Sequence, residues 1–247
     1  MSANQTTALR KFENISDPLV FMSALEHLRQ KDPKLRKIID KHGPLDFKTS
    51  GEIFESLVES IIGQQVSGYA ANAIIARVRS LYESGQLDAG TLFRTRPKTL
   101  QNAGISPQKL RYLKDLSRRV IKKELDVEAM AEMSDEELIE KLDPVLGIGP
   151  WTIHMLLIFT LGRPNVLPVD DYGIRKSIQK IYSLKEVPKA DAIRAIAKKW
   201  EPYCSVASLY LWKDKDAIQP VSAQRKVVIK RKPSELPAPT KIQKRRK

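Results

Sequence analysis

The stretch LDPVLGIGPWTIHMLLIFTLGRPNVLPVDDYGIRK, Leu142–Lys176, decides how the chain is read. The pattern predicts a helix that starts near Asp135 and stops near Leu146. Gly147-Ile148-Gly149 then forms a tight turn, because glycine accepts the positive φ that a sharp reversal needs. Pro150 suits the first turn of the next helix. That helix, Trp151–Leu161, is apolar nearly all round and so reads as buried. A Gly/Pro loop, Gly162–Pro164, leads to Pro168-Val169-Asp170-Asp171-Tyr172, where another helix over 172–181 begins. Helix, glycine turn, helix presents backbone N–H groups beside a positive helix end, and a phosphate fits there without any side chain. The same Gly-x-Gly also serves as the cap of an ordinary helical hairpin. Asp171 follows Gly149 by 22 residues. Either aspartate of the pair reads as a helix N-cap or as a carboxylate kept for chemistry.

Outward from this stretch the chain stays helical. Ser16-Asp17-Pro18 predicts a helix start, with a cap before a first-turn proline. Ile53, Phe54, Leu57, Val58, Ile61 and Ile62 recur at helical spacing, as do Leu110, Leu113, Leu116, Val120 and Ile121. Ser106-Pro107 opens the second of these helices, and Ser134 with Glu137 makes a capping-box pattern before another. No run alternates with period two, so the body is all-α. The expected organisation is a flexible lead-in over 1–15, one helical domain over 16–215 and a disordered basic tail over 216–247.

The 247 residues are 42% hydrophobic and 29% charged, which suits one medium globular domain or two small ones. A single cysteine, Cys204, excludes a disulfide scaffold and any four-cysteine metal or iron–sulfur site. His27, His42 and His154 lack metal-ligand spacing and read as structural. The longest apolar run, Ile153–Leu161, is too short to cross a membrane and carries His154. Met1–Asn14 shows neither a signal peptide nor a lipidation motif.

The net charge is +14, and from Gln219 onward 10 basic residues face 1 acidic one. A polyanionic partner is the natural reading of such a balance. Lys230-Arg231-Lys232 and Lys244-Arg245-Arg246-Lys247 stand 11 residues apart. That arrangement predicts a bipartite nuclear import signal, ahead of a merely solvated basic tail.

Five blocks in order, ESLVESIIGQQVS, GISPQKLRYLKDLS, LGIGPWT, LPVDDYGI and KKWEPYCSVASLYLW, resemble the helix-hairpin-helix DNA glycosylase superfamily. Within it the chain is most similar to the alkylpurine (3-methyladenine) glycosylases of the bacterial AlkA and fungal Mag type, over roughly Ser16–Trp212. The resemblance implies a two-lobed helical fold with the active site in the cleft between lobes. It implies a monomeric enzyme that flips alkylated purines out of duplex DNA, cuts the glycosidic bond and leaves an abasic site; the basic tail adds the expectation that it works in the nucleus. It places the catalytic carboxylate at Asp171, leaving Asp170 to cap the helix or order the loop. It places base-pocket aromatics at Trp151 and Tyr203, with Tyr172 a further candidate, and the DNA-binding hairpin at Gly147, Ile148 and Gly149. The wedge that fills the vacated stack falls at Gln64-Gln65, where Gln65 takes the place of a bacterial leucine; these residues read equally as a polar interhelical turn. Bifunctional members carry a lysine nucleophile where this chain has Trp151, so no strand cleavage is expected. No cofactor is implied beyond a structural Na+ or K+ on the backbone carbonyls of Asp143, Val145 and Ile148. The alternative on the same fold is a non-catalytic binder of abasic or distorted DNA.

Overall fold

The computed structural model describes residues 13–214, and their secondary structure is helical with no strand. The basic tail and its two clusters lie outside the described residues, as does most of the lead-in. The helices are α1 (Pro18–Lys31), α2 (Pro33–His42), α3 (Ile53–Gly63), α4 (Gly68–Arg79), α5 (Ala89–Arg94) and α6 (Pro97–Asn102). Then follow α7 (Pro107–Ile121), α8 (Asp135–Leu142), α9 (Pro150–Met155), α10 (Tyr172–Ile181), α11 (Ala190–Ala197) and α12 (Cys204–Asp214).

The helices start where short polar side chains meet unbonded N–H groups. Asp17 accepts from the Leu19 amide at 2.8 Å ahead of Pro18. Ser106 accepts from Lys109 at 3.3 Å ahead of Pro107. Ser134 and Glu137 close the expected capping box. Each such cap stabilises its helix by about 1 kcal/mol.

Two groups of helices form. In one, α12 packs on α10, α2 and α1; in the other, α3 packs on α4 and α7, and α7 on α5 and α6. Cys204–Trp212 is buried along its whole length, as a helix apolar on every side must be. The segment after α9 packs on α3 and so joins the groups.

Three details differ from expectation. The helix that opens at Asp135 ends at Leu142 rather than near Leu146, because Pro144 has no N–H and its ring obstructs a further helical turn. The helix over 151–161 is not one α-helix. It widens after Met155 into a π-turn, Leu156–Thr160, whose five side chains are buried. The carbonyls of Phe159 and Thr160 there accept from the amides of Ser50 and Gly51 at 3.4 and 3.3 Å. The lead-in also joins the fold earlier than residue 16. Ile15 is fully buried, its backbone amide donates to the Gly162 carbonyl at 2.9 Å, and the Asn14 side-chain Nδ2 donates to the Leu161 carbonyl at 2.9 Å.

Candidate active site and nucleic-acid-facing turns

The hairpin between α8 and α9 is built on two apolar pegs. Val145 and Ile148 are buried, while Leu146 between them is 53% exposed. The Ile148 amide donates to the Val145 carbonyl at 3.1 Å. Ile148 therefore offers a ligand neither its side chain nor its N–H. Gly147 and Gly149 differ from it: their amides form no hydrogen bond among the described residues. They also differ from each other. Gly147 has φ +80°, and a Cβ there would lie 2.2 Å from the Tyr112 ring. A Cβ on Gly149 would meet nothing within 4 Å. The fold itself requires glycine only at 147; the free space at 149 faces outward.

The carbonyls of Asp143 and Ile148 accept no hydrogen bond among the described residues, and that of Val145 accepts only the Ile148 amide. Neutral, hard oxygen donors of this kind suit an alkali cation, so the residues present fit the ion the family implies.

The chain reverses again before α10, and here the two aspartates separate. Asp170 is exposed and is not the cap of α10. Asp171 is the N-cap of α10, its Oδ1 accepting from the Ile174 amide at 2.8 Å. The same Oδ1 accepts the Trp212 indole N–H at 3.0 Å, and Oδ2 accepts the Trp151 indole N–H at 2.8 Å. Asp171 forms no ion pair among the described residues. Its charge is therefore oriented by three N–H donors and offset by no fixed cation. Gly173 makes room for it: a Cβ there would lie 2.9 Å from Asp171 Oδ1 and 3.3 Å from the Trp212 ring.

An aromatic wall backs the carboxylate. Trp212 lies 5.5 Å from Phe159, ring centre to ring centre, and Phe159 lies 6.0 Å from Phe47. Trp151, at 37% exposure, stands on the open side. Tyr172 is 61% exposed with the Lys176 ammonium 6.0 Å from its ring centre, so it is not a core residue.

Tyr203 does not join this group in the structure. Its ring meets His27 edge-on at 5.4 Å. It precedes α12, whereas Trp212 lies near the far end of that helix, and nine residues of helix place them about 13 Å apart. The side chain of the KKWEPYCSVASLYLW block that reaches Asp171 is Trp212. Sequence reading missed Trp212, Phe159, Phe47 and Gly173. Trp212 left one signal, as a tryptophan ending a quoted block; Phe47 and Phe159 left none, because they meet only through tertiary packing.

The turn between α3 and α4 carries Gln64 and Gln65. Gln65 is exposed and has φ +57°, a left-handed conformation costing a non-glycine residue about 1 kcal/mol. Gln64 is turned inward, its side-chain N–H donating to the Gly147 carbonyl at 2.7 Å.

A sequence profile described as HhH-GPD superfamily base excision DNA repair protein matches residues 58–202. The chain belongs to this superfamily. Among named relatives, DNA-3-methyladenine glycosylase 1 of Schizosaccharomyces pombe is 32% identical over 191 residues, covering 76% of this chain and 84% of that protein. Putative DNA-3-methyladenine glycosylase YfjP of Bacillus subtilis is 32% identical over 187 residues, covering 72% of this chain; the match spans 64% of that relative's length. The solved structure of S. pombe 3-methyladenine DNA glycosylase (Mag1) in complex with abasic DNA superposes with a TM-score of 0.71 at 31% identity. That match covers 77% of this chain and 95% of the other.

Proposed function

We propose that the protein is a monofunctional DNA glycosylase that excises alkylated purines, 3-methyladenine and 7-methylguanine, from duplex DNA in base excision repair and leaves an abasic site. The observation that carries this is Asp171, a carboxylate held by two indole N–H groups at the start of α10 and in no ion pair among the described residues. The relatives named above are 3-methyladenine glycosylases, and the Mag1 structure holds abasic DNA.

A base within a duplex must leave the stack before its glycosidic bond can be reached. The free amides of Gly147 and Gly149 bind a backbone phosphate, and an alkali ion on the Asp143, Val145 and Ile148 carbonyls would add positive charge at the same place. Gln65, exposed at its turn, fills the gap left in the stack. A purine alkylated at N3 or N7 is already cationic, so it departs as a neutral base without a strong general acid. The exposed face of Trp151 receives that cation, while the buried Trp212 holds the carboxylate in place. As the bond lengthens, positive charge grows at C1′ of the sugar, and the uncompensated charge of Asp171 stabilises it or orients the attacking water. The lysine nucleophile of bifunctional members falls at Trp151, and an indole has no amine with which to form a Schiff base.

The test is incubation of methylated duplex DNA with the protein, chromatography of the released bases, and alkaline cleavage at abasic sites. Release of 3-methyladenine and 7-methylguanine, with strand breaks appearing only after alkali, is expected. Tight binding of abasic DNA without base release would instead establish a non-catalytic binder.

A further inference from the structure

Helix α7 touches both turns that face the DNA, and it does so along one stripe. Lys109, Tyr112, Asp115 and Arg119 follow one another at helical spacing. The Lys109 ammonium donates to the Ile62 carbonyl at 2.7 Å, one residue before the Gly63–Ser67 turn. The Tyr112 ring closes over Gly147. Asp115 accepts from the Leu146 amide at 3.3 Å, and the Arg119 guanidinium donates to the Pro144 carbonyl at 3.2 Å. Asp115 and Arg119 also pair with each other at 3.0 Å, which steadies both. The adjoining face of the helix, Leu110, Leu113 and Leu116, is buried. Thus α7 is anchored in the core and spans two turns that lie more than 80 residues apart in sequence; Gln64 closes the frame by bonding directly to Gly147, 83 residues away.

We infer that Gln64 is not a plug for the duplex but a tie, which locks the turn bearing Gln65 to the phosphate-gripping hairpin so that grip and wedge act as one rigid body. This rests on the glycosylase reading above. A glutamine whose N–H is engaged by its own protein's carbonyl is not free to fill a vacated stack; its neighbour Gln65, exposed and in a strained conformation, is. Extruding a base costs a few kcal/mol. Binding energy gained at the hairpin offsets that cost only if the wedge is held in fixed relation to it. Without the tie, the hairpin still holds DNA, but the wedge yields before the stack does.

The tie makes Gln64 a positioning residue, and its signature is dependence on how firmly the target base is stacked. Gln64→Met keeps the side-chain length without the N–H donor, and Gln64→Glu replaces the donor by an acceptor. Both are to be compared with the parent in single-turnover release of 7-methylguanine from two duplexes, one with the lesion paired to cytosine and one with it in a single-nucleotide bulge. The expected result is a loss of about tenfold on the paired lesion, the worth of one hydrogen bond realised during extrusion. Release from the bulge and binding of abasic DNA should stay close to the parent's, and the thermal midpoint should fall by only a few degrees, as the loss of one part-buried hydrogen bond requires. Equal losses on both duplexes, or none on the paired one, would overturn the tie. Should the parent release no base at all, the glycosylase reading falls by itself. Fluorescence of 2-aminopurine next to an abasic site then still reports whether the variants slow wedge insertion; unchanged insertion would overturn the tie in that case also.

Discussion

Two aspartates in this protein share almost every local feature and do different things. Asp32 caps α2 and Asp171 caps α10. Each accepts from a tryptophan indole, Asp32 from Trp200 at 2.7 Å and Asp171 from Trp151 and Trp212. The difference lies in what surrounds them. Asp32 is fully buried, accepts the Tyr182 hydroxyl and pairs with the Lys199 ammonium at 3.2 Å. Burial by itself would raise its pKa, but the bonds from Trp200, Tyr182 and the Leu35 amide, with the Lys199 charge, hold it below the usual carboxylate value. Its charge is satisfied within the protein, where it joins α1 and α2 to α10 and the turn before α12. Asp171 keeps partial exposure and has no cation partner among the described residues. A carboxylate is structural when the fold neutralises it, and available for chemistry when the fold orients it and leaves the charge uncompensated.

Substitutions should separate the two. The largest effect is expected from Asp171→Asn, which should lower single-turnover base release by about a thousandfold, or about 4 kcal/mol of transition-state stabilisation. Its thermal midpoint should barely move, because asparagine also caps helices. Asp32→Ala should reverse the pattern, losing about 3 kcal/mol in urea unfolding because Lys199, Tyr182 and Trp200 are left without their acceptor. The molecules that remain folded should release base at the parent rate. Because the folded pKa of Asp32 is depressed, its contribution is present above the unfolded value of about 3.9 and fades as pH falls through the folded value. The parent should therefore lose stability on acidification more steeply than Asp32→Ala, as measured by unfolding at stepped pH.

Trp212→Phe removes one indole donor and keeps the aromatic wall. About a tenfold loss of release is expected, since a hydrogen bond to a charged group contributes about 1.5 kcal/mol. If that variant unfolds instead, Trp212 belongs with Trp200 as a structural donor and the contrast weakens. The smallest effect is expected at Gly149. Gly149→Ala should fold normally and bind duplex DNA several-fold more weakly, by about 1 kcal/mol, in a fluorescence anisotropy titration. Gly147→Ala should lose stability, because its Cβ would strike Tyr112.

Much of this was legible beforehand because it is local. Helix starts at Ser106, Ser134 and Asp171 follow from short-range hydrogen bonds between a side chain and amides two or three residues on. Gly147 was readable because positive φ favours glycine, and the burial of the segment after Trp151 because it is apolar nearly all round. The aromatic set was only half legible. Trp151 sits next to the hairpin, so chain connectivity carries it to the site. Tyr203 and Trp212 lie in the same block, and nothing local says which end of α12 meets α10.

Residue order alone determined the all-helical class, the glycine hairpin and the aspartate that opens α10, since periodicity, capping and turn preference act over a few residues. Tertiary packing decided which indoles grip Asp171, which glutamine faces outward and which glycine the fold can do without. Those outcomes depend on groups 20 to 83 residues apart, and their meeting is set by how whole helices fill the core.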